Sequence, residues 1–148
     1  MSISEKHTGT SQSEWQKLRE NLLLTKVWLK NEIKIFLTQF EITQQQYNIL
    51  RILNEADGEP LSTNQICDLM IDKMSDSSRI VDRLITKNLA RKNPCPHDGR
   101  KIQVFITDEG EYLLSTISTK LKNLDAAFNK LSIEEATHLN ILLEKLRS

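Results

Sequence analysis

The sequence predicts a mainly α-helical domain with one small β-hairpin. Three observations lead to this. Glycine and proline are sparse, four and three in 148 residues, so long stretches are free to be helical. Apolar residues recur at helical spacing over most of the chain. The period drops to two in one place, where Ile102, Val104 and Ile106 alternate with Gln103 and Phe105. The length suits one domain, and 39% apolar with 27% charged residues is a globular balance rather than a disordered one.

Residues 1–13 are polar and are expected to form a flexible tail. A long first helix follows over 14–40. Trp15, Leu22, Leu29 and Phe36 recur every seven residues, and Leu18, Leu23, Val27, Trp28, Ile33 and Leu37 widen the apolar surface well beyond one stripe. A helix apolar over so much of its girth must be covered on several sides. The second helix starts at Thr43, with Gln46 completing a capping-box pattern, and stops before Asp57-Gly58-Glu59-Pro60. A short third helix has Ser62 or Thr63 as cap and Ile66, Leu69 and Met70 as its apolar face. Residues 71–74 read as a tight connection. The fourth helix spans about 75–87, with Ile80, Val81, Leu84 and Ile85 inward, and Asn88 is a suitable stop because Asn tolerates the left-handed conformation.

Residues 89–92 form a short possible strand. Residues 93–100 contain two prolines and a glycine and are expected to be a loop before the alternating strand. Thr107 caps a fifth helix, in which Leu114, Ile117, Leu121, Leu124, Phe128 and Leu131 step by three and four, a coiled-coil-like seam. Ser132 and Glu135 open a last helix carrying Leu139, Leu142, Leu143 and Leu146. One chain of this size has too few other helices to cover both the first helix and the seam, so a dimer is expected.

The order helix, helix, tight turn, helix, hairpin is that of a winged helix-turn-helix. Its second short helix has the shape that enters a DNA major groove. The outward positions of that helix are Ser75, Asp76, Ser78, Arg79, Asp82, Arg83 and Thr86. Small hydroxyls near its start permit close approach to base edges, and Arg79 and Arg83 can donate to guanine or phosphate. A polar helix face merely meeting water would look similar; the hairpin that follows favours DNA. At the tip, Arg100 and Lys101 are placed for a minor groove, and Asp98 is placed to orient the Arg100 guanidinium by a paired hydrogen bond.

Twenty basic and twenty acidic residues balance, so net charge alone is uninformative. The distribution is not: residues 73–101 carry eight Lys or Arg against three Asp, a local excess of five positive charges in a neutral chain. A winged helix serving only as a protein-interaction module would not require that concentration.

The chain resembles the MarR family, the multiple antibiotic resistance regulator type, over about residues 15–147. The run from Ser78 to Leu84, the Lys87-Asn88-Leu89 stop, Asp98-Gly99-Arg100 and Ile106-Thr107-Asp108-Glu109-Gly110 carry the resemblance in order. Asn88 stands where the family usually has glycine. Gly99 stands where a second basic residue is frequent, which leaves Arg100 as the main wing contact. The resemblance implies a homodimer joined by N- and C-terminal helices, here 14–42 and 111–148, with residues 43–110 as the DNA-binding lobe. It implies a repressor acting on double-stranded palindromic DNA and released by a small, often aromatic, effector or by thiol oxidation. Trp28, Asn31 and Ile35, with Tyr47 opposite, are the effector-binding residues that the resemblance implies, although packing in the core accounts for the same residues more simply.

Other chemistries are disfavoured. Cys67 reads as a small buried hydrophobe and Cys95 as a wing-loop thiol; two cysteines make no disulfide framework, and the first helix has no thiol to sense oxidation. Cys95 and His97 supply fewer ligands than a zinc site needs. His7, His97 and His138 lie beside no nucleophile, phosphate loop or metal set, so neither an enzyme nor a cofactor is expected. No apolar run exceeds three residues, so neither a secretory signal nor a membrane span is expected, and the chain reads as cytoplasmic.

Overall fold

The computed structural model describes residues 12–73 and 76–148. Most of the expected tail, together with Met74 and Ser75, lies outside the described residues. The elements run α1 (Glu14–Thr38), α2 (Gln44–Glu55), α3 (Thr63–Leu69), α4 (Ser77–Thr86), β1 (Ala90–Cys95), β2 (Asp98–Ile106), α5 (Asp108–Asp125), a 3-10 turn (Ala126–Phe128) and α6 (Ile133–Arg147). None of these helices is long and apolar enough to cross a membrane.

Local hydrogen bonds explain where the helices begin. The Thr43, Ser62 and Ser132 hydroxyls accept from the backbone N–H groups of Gln46, Gln65 and Glu135, and each of those side chains accepts from the cap residue's own N–H. The Ser62–Gln65 pair has the same spacing as the two boxes visible in the sequence. Ser13 caps α1 and Thr107 caps α5 in the simpler manner. At the far end of α4, Asn88 adopts φ 62°. Its N–H donates to the Ile85 carbonyl and the Leu89 N–H to that of Leu84, each at 2.9 Å, closing the helix in a Schellman motif.

The core gathers Leu37 of α1, Ile49 and Leu50 of α2, Ile66 of α3, Val81 and Leu84 of α4, Val104 of β2 and Ile117 of α5, all essentially without solvent contact. The inward positions expected of α4 are therefore correct. Leu61, between α2 and α3, exchanges two backbone hydrogen bonds with Val104, which ties the helical part to the hairpin.

Two expectations are corrected. The loop expected over 93–100 is mostly strand: Asn93 pairs with Gln103 and Pro94 with Ile102, and only Pro96 and His97 form the turn. A two-stranded ribbon has only edge strands, so a proline that lacks an N–H is tolerated where that N–H would have pointed outward. The register shifts between Pro94 and Cys95 and absorbs the mismatch next to the tip.

The seam of α5 is the second. Leu114 and Ile117 are buried in the chain's own core, with Leu121 and Leu124 packed against it, so this part of the seam needs no second chain. The surface left open is elsewhere. α1 buries only Phe36 and Leu37, and α6 buries nothing. Trp15 is 73% exposed and Ile133 is 83% exposed.

Candidate nucleic-acid interface

α4 is amphipathic: Val81 and Leu84 hold it against α2 and α3, and the opposite face is open. Asp76, Ser78, Arg79 and Arg83 all lie on that open face, as the sequence reading expected; Ser75 falls outside the described residues. The other five α-helices are each capped at the N-terminus by a side-chain oxygen, but Asp76 makes no side-chain cap hydrogen bond to α4. Among the described residues the first turn of α4 thus lacks the side-chain cap that the other helices have, a polarity that suits an incoming anion.

The hairpin lies beside this face. Lys92 Nζ on β1 donates to Asp82 Oδ1 on α4 at 3.0 Å. This pair neutralises an acidic residue on the outer face and sets the base of the hairpin against the helix. It is exposed, so its value is geometric more than energetic. Arg91 lies over the Phe105 ring at 4.3 Å, a cation–π contact that keeps its guanidinium on the hairpin's flank. Arg79 and Asp76 approach only to 3.9 Å. Arg83, Arg100 and Lys101 have no ion-pair partner among the described residues. Three exposed cations are therefore uncommitted, one on α4 and two on β2.

Asp98 behaves differently from the expectation. Its carboxylate accepts from the Arg100 backbone N–H at 3.1 Å and does not pair with the Arg100 guanidinium. This is an Asx-type turn, in which a short acidic side chain shapes its own backbone two residues on. Asp98 thus shapes the backbone that carries Arg100, and the arginine's charged head is left free.

Of the four residues expected to bind an effector, one lines the recess between α1 and the start of α2 and three do not. Trp28 meets the Phe128 ring edge-on at 5.4 Å, Ile35 is 62% exposed, and Tyr47 packs against the core with Arg51 over its ring. Only Asn31 lines the recess between α1 and the start of α2. That recess has a volume of about 470 Å³ and is bounded by Lys30, Lys34 and Thr38 on α1 and by residues 42–45. The resemblance implied Trp28 and Tyr47, but Trp28 packs edge-on against Phe128 while remaining partly exposed, and Tyr47 packs against the core. The lysines that line the recess carried no distinguishing signal in the sequence, nor did the Lys92–Asp82 pair, whose members are ten residues apart.

The chain matches the MarR family model over residues 40–101, from the end of α1 into β2. It is 31% identical over 117 residues to the HTH-type transcriptional regulator PecS of Dickeya dadantii, an alignment covering 76% of this chain and 69% of that protein. The chain belongs to the MarR family. Another relative, the HTH-type transcriptional repressor IacR of Pseudomonas putida, is 31% identical over 109 residues, covering 73% of this chain and 64% of IacR. The fold agrees with that of a mutant MarR from E. coli, solved in complex with operator DNA: TM-score 0.78, 20% identity, 90% of this chain and 95% of that one. PecS and IacR are named as regulators of transcription, and the MarR family is not a family of enzymes. The segment matched by the family model contains Asp76, Arg79, Arg83, Asp98, Arg100 and Lys101.

Proposed function

We propose that this MarR-family protein is a cytoplasmic homodimer that binds a two-fold symmetric stretch of double-stranded DNA and represses transcription from it. The observation that carries this reading is the placement of uncommitted cations. Arg83 on the open face of α4 and Arg100 and Lys101 on the hairpin have no ion-pair partner among the described residues, and the Lys92–Asp82 pair sets the hairpin beside that face. A helix in the major groove and a hairpin on the adjacent backbone or minor groove would use all three. Residues 43–110 would be the DNA-binding lobe, and 14–42 with 111–148 the dimerisation part. The structure of E. coli MarR on its operator supports the DNA assignment, and the name of IacR supports repression.

Footprinting on genomic fragments should give two protected patches centred about one helical turn apart, roughly 10 bp. Affinity should fall steeply with salt, because each half neutralises several phosphates. A single asymmetric patch protected over one turn only would defeat the symmetric reading.

The dimer rests on the open apolar surface of α1 and α6, in which Trp15, Leu23, Val27, Ile133 and Ile141 are all more than half exposed. Monomeric proteins rarely leave so many large apolar side chains of two helices open to water. Light scattering at micromolar concentration should give twice the 17.1 kDa of one chain; a mass of one chain would refute the dimer. The recess beside Lys30, Asn31 and Lys34 is the proposed effector site, and its two ammonium groups favour a small aromatic anion.

A further inference from the structure

Gln46 and Ser77 are the two buried polar side chains among the described residues, and they stand at opposite ends of the recognition helix. Ser77 is the first residue of α4, and its hydroxyl donates to Met70 Sδ at 3.9 Å. Gln46 Oε1 accepts from the Thr43 N–H at 3.1 Å and from Lys87 Nζ at 3.4 Å. Lys87 is the C-cap of α4, and its ammonium also donates to the Glu41 carbonyl, 46 residues away in sequence. Glu41 is in the left-handed region, at φ 58°, in the corner between α1 and α2. A buried amide costs free energy unless it is hydrogen-bonded, so its placement constrains what it bonds to.

We infer that Lys87 is a positioning residue for the recognition helix. It ties the end of α4 to the α1–α2 corner and so fixes the helix's position along its own axis. Hydrophobic contacts at Val81 and Leu84 are non-directional and tolerate a small slide; a charged hydrogen bond at the helix end does not. Base readout needs that register, whereas phosphate attraction does not. The inference rests on the DNA-binding reading and adds to it that one of the eight cations in residues 73–101 faces the protein instead of DNA.

The test uses Lys87→Met, which keeps the aliphatic stem, and Lys87→Arg, which keeps a charged donor. Each is titrated across salt against the cognate duplex and an unrelated duplex of equal length, and amide exchange at residues 41–46 and 84–89 is followed in the DNA-free protein. Lys87→Met should lose about tenfold on the cognate duplex, the scale of one hydrogen bond to a charged group. Its affinity for the unrelated duplex and its salt slope should be unchanged, and exchange in both segments should speed up. Lys87→Arg should recover most of the discrimination. Equal losses on both duplexes, with the slope lowered by about one per half-site, would make Lys87 a phosphate contact and overturn the inference. So would unchanged exchange together with unchanged discrimination. If the wild-type protein prefers no duplex, the DNA reading fails and the recognition role of Lys87 fails with it, while the exchange data still report whether the tie exists.

Discussion

Arg100→Ala is expected to weaken operator binding by about 1–3 kcal/mol per half-site, the scale of one good arginine contact, and to leave the unfolding midpoint unchanged. The guanidinium has no ion-pair partner among the described residues and the residue is exposed, so folding loses little when it is removed. In a dimer the two losses add, which makes this the largest effect expected of a single surface substitution. Two Asp98 variants decide how the tip works. Asp98→Ala removes the acceptor that holds the Arg100 N–H, loosens the turn and should weaken binding. Asp98→Asn keeps an oxygen acceptor and removes a negative charge close to DNA, so it should bind as tightly as wild type or tighter. Pure charge density predicts that both variants bind tighter. Titrations in which Asp98→Ala gains affinity would therefore reduce the hairpin to a basic patch with no shaped tip.

Gly110→Ala is expected to destabilise the fold by about 2–3 kcal/mol, although the same substitution in an ordinary helix interior stabilises by roughly 1 kcal/mol. The sign is reversed by what a methyl group would meet. Gly110 lies in the first turn of α5, and a Cβ there would stand 2.3 Å from the Leu89 carbonyl oxygen and 2.7 Å from Ile106 Cγ1. The Ile106 side chain can move aside. The Leu89 carbonyl cannot do so freely, because it accepts from the Thr107 N–H at 3.1 Å. Thr107 in turn donates its hydroxyl to the Asn88 carbonyl at 2.7 Å and accepts from the Gly110 N–H at 3.1 Å. The end of α4, the exit of the hairpin and the start of α5 therefore meet at one point that has no room for a side chain. Urea unfolding should show a lower midpoint with an unchanged slope. A midpoint equal to or above that of wild type would mean that the junction relaxes without cost. DNA binding should suffer too, since the hairpin and α4 are both anchored there.

Much of this architecture was legible in the sequence because it is encoded locally. A capping box involves residues three apart, so Thr43 with Gln46 and Ser132 with Glu135 announced two helix starts, and both form as read. Asn88 as the stop of α4 follows from one residue's tolerance of positive φ. The alternation through Ile102, Val104 and Ile106 located β2, and the outward positions of α4 followed from helical spacing around Val81 and Leu84. The basic excess in residues 73–101 needed only counting. From these came the fold class and the face of α4 and the hairpin proposed to meet DNA.

Choices between alternative partners were decided by the tertiary structure. Residues 93–95 have turn-like composition, yet they pair with Gln103, Ile102 and Asp98, because once the base of a hairpin is in register each further rung adds backbone hydrogen bonds, and an edge strand accommodates proline. A heptad-like seam says that a helix must be covered but not by what; Leu114 and Ile117 are covered by their own chain, whereas α1 and α6 are left open. Asp98 had the Arg100 guanidinium and the Arg100 N–H within reach, and the turn geometry selected the backbone. Lys92 with Asp82, Lys87 with Gln46, and the lysine-lined recess at Asn31 join residues whose separations have no periodicity to read. Composition and period act over a few residues and determine which element forms and which face is apolar. Which side chain meets which depends on how those elements pack, and only the folded chain settles that.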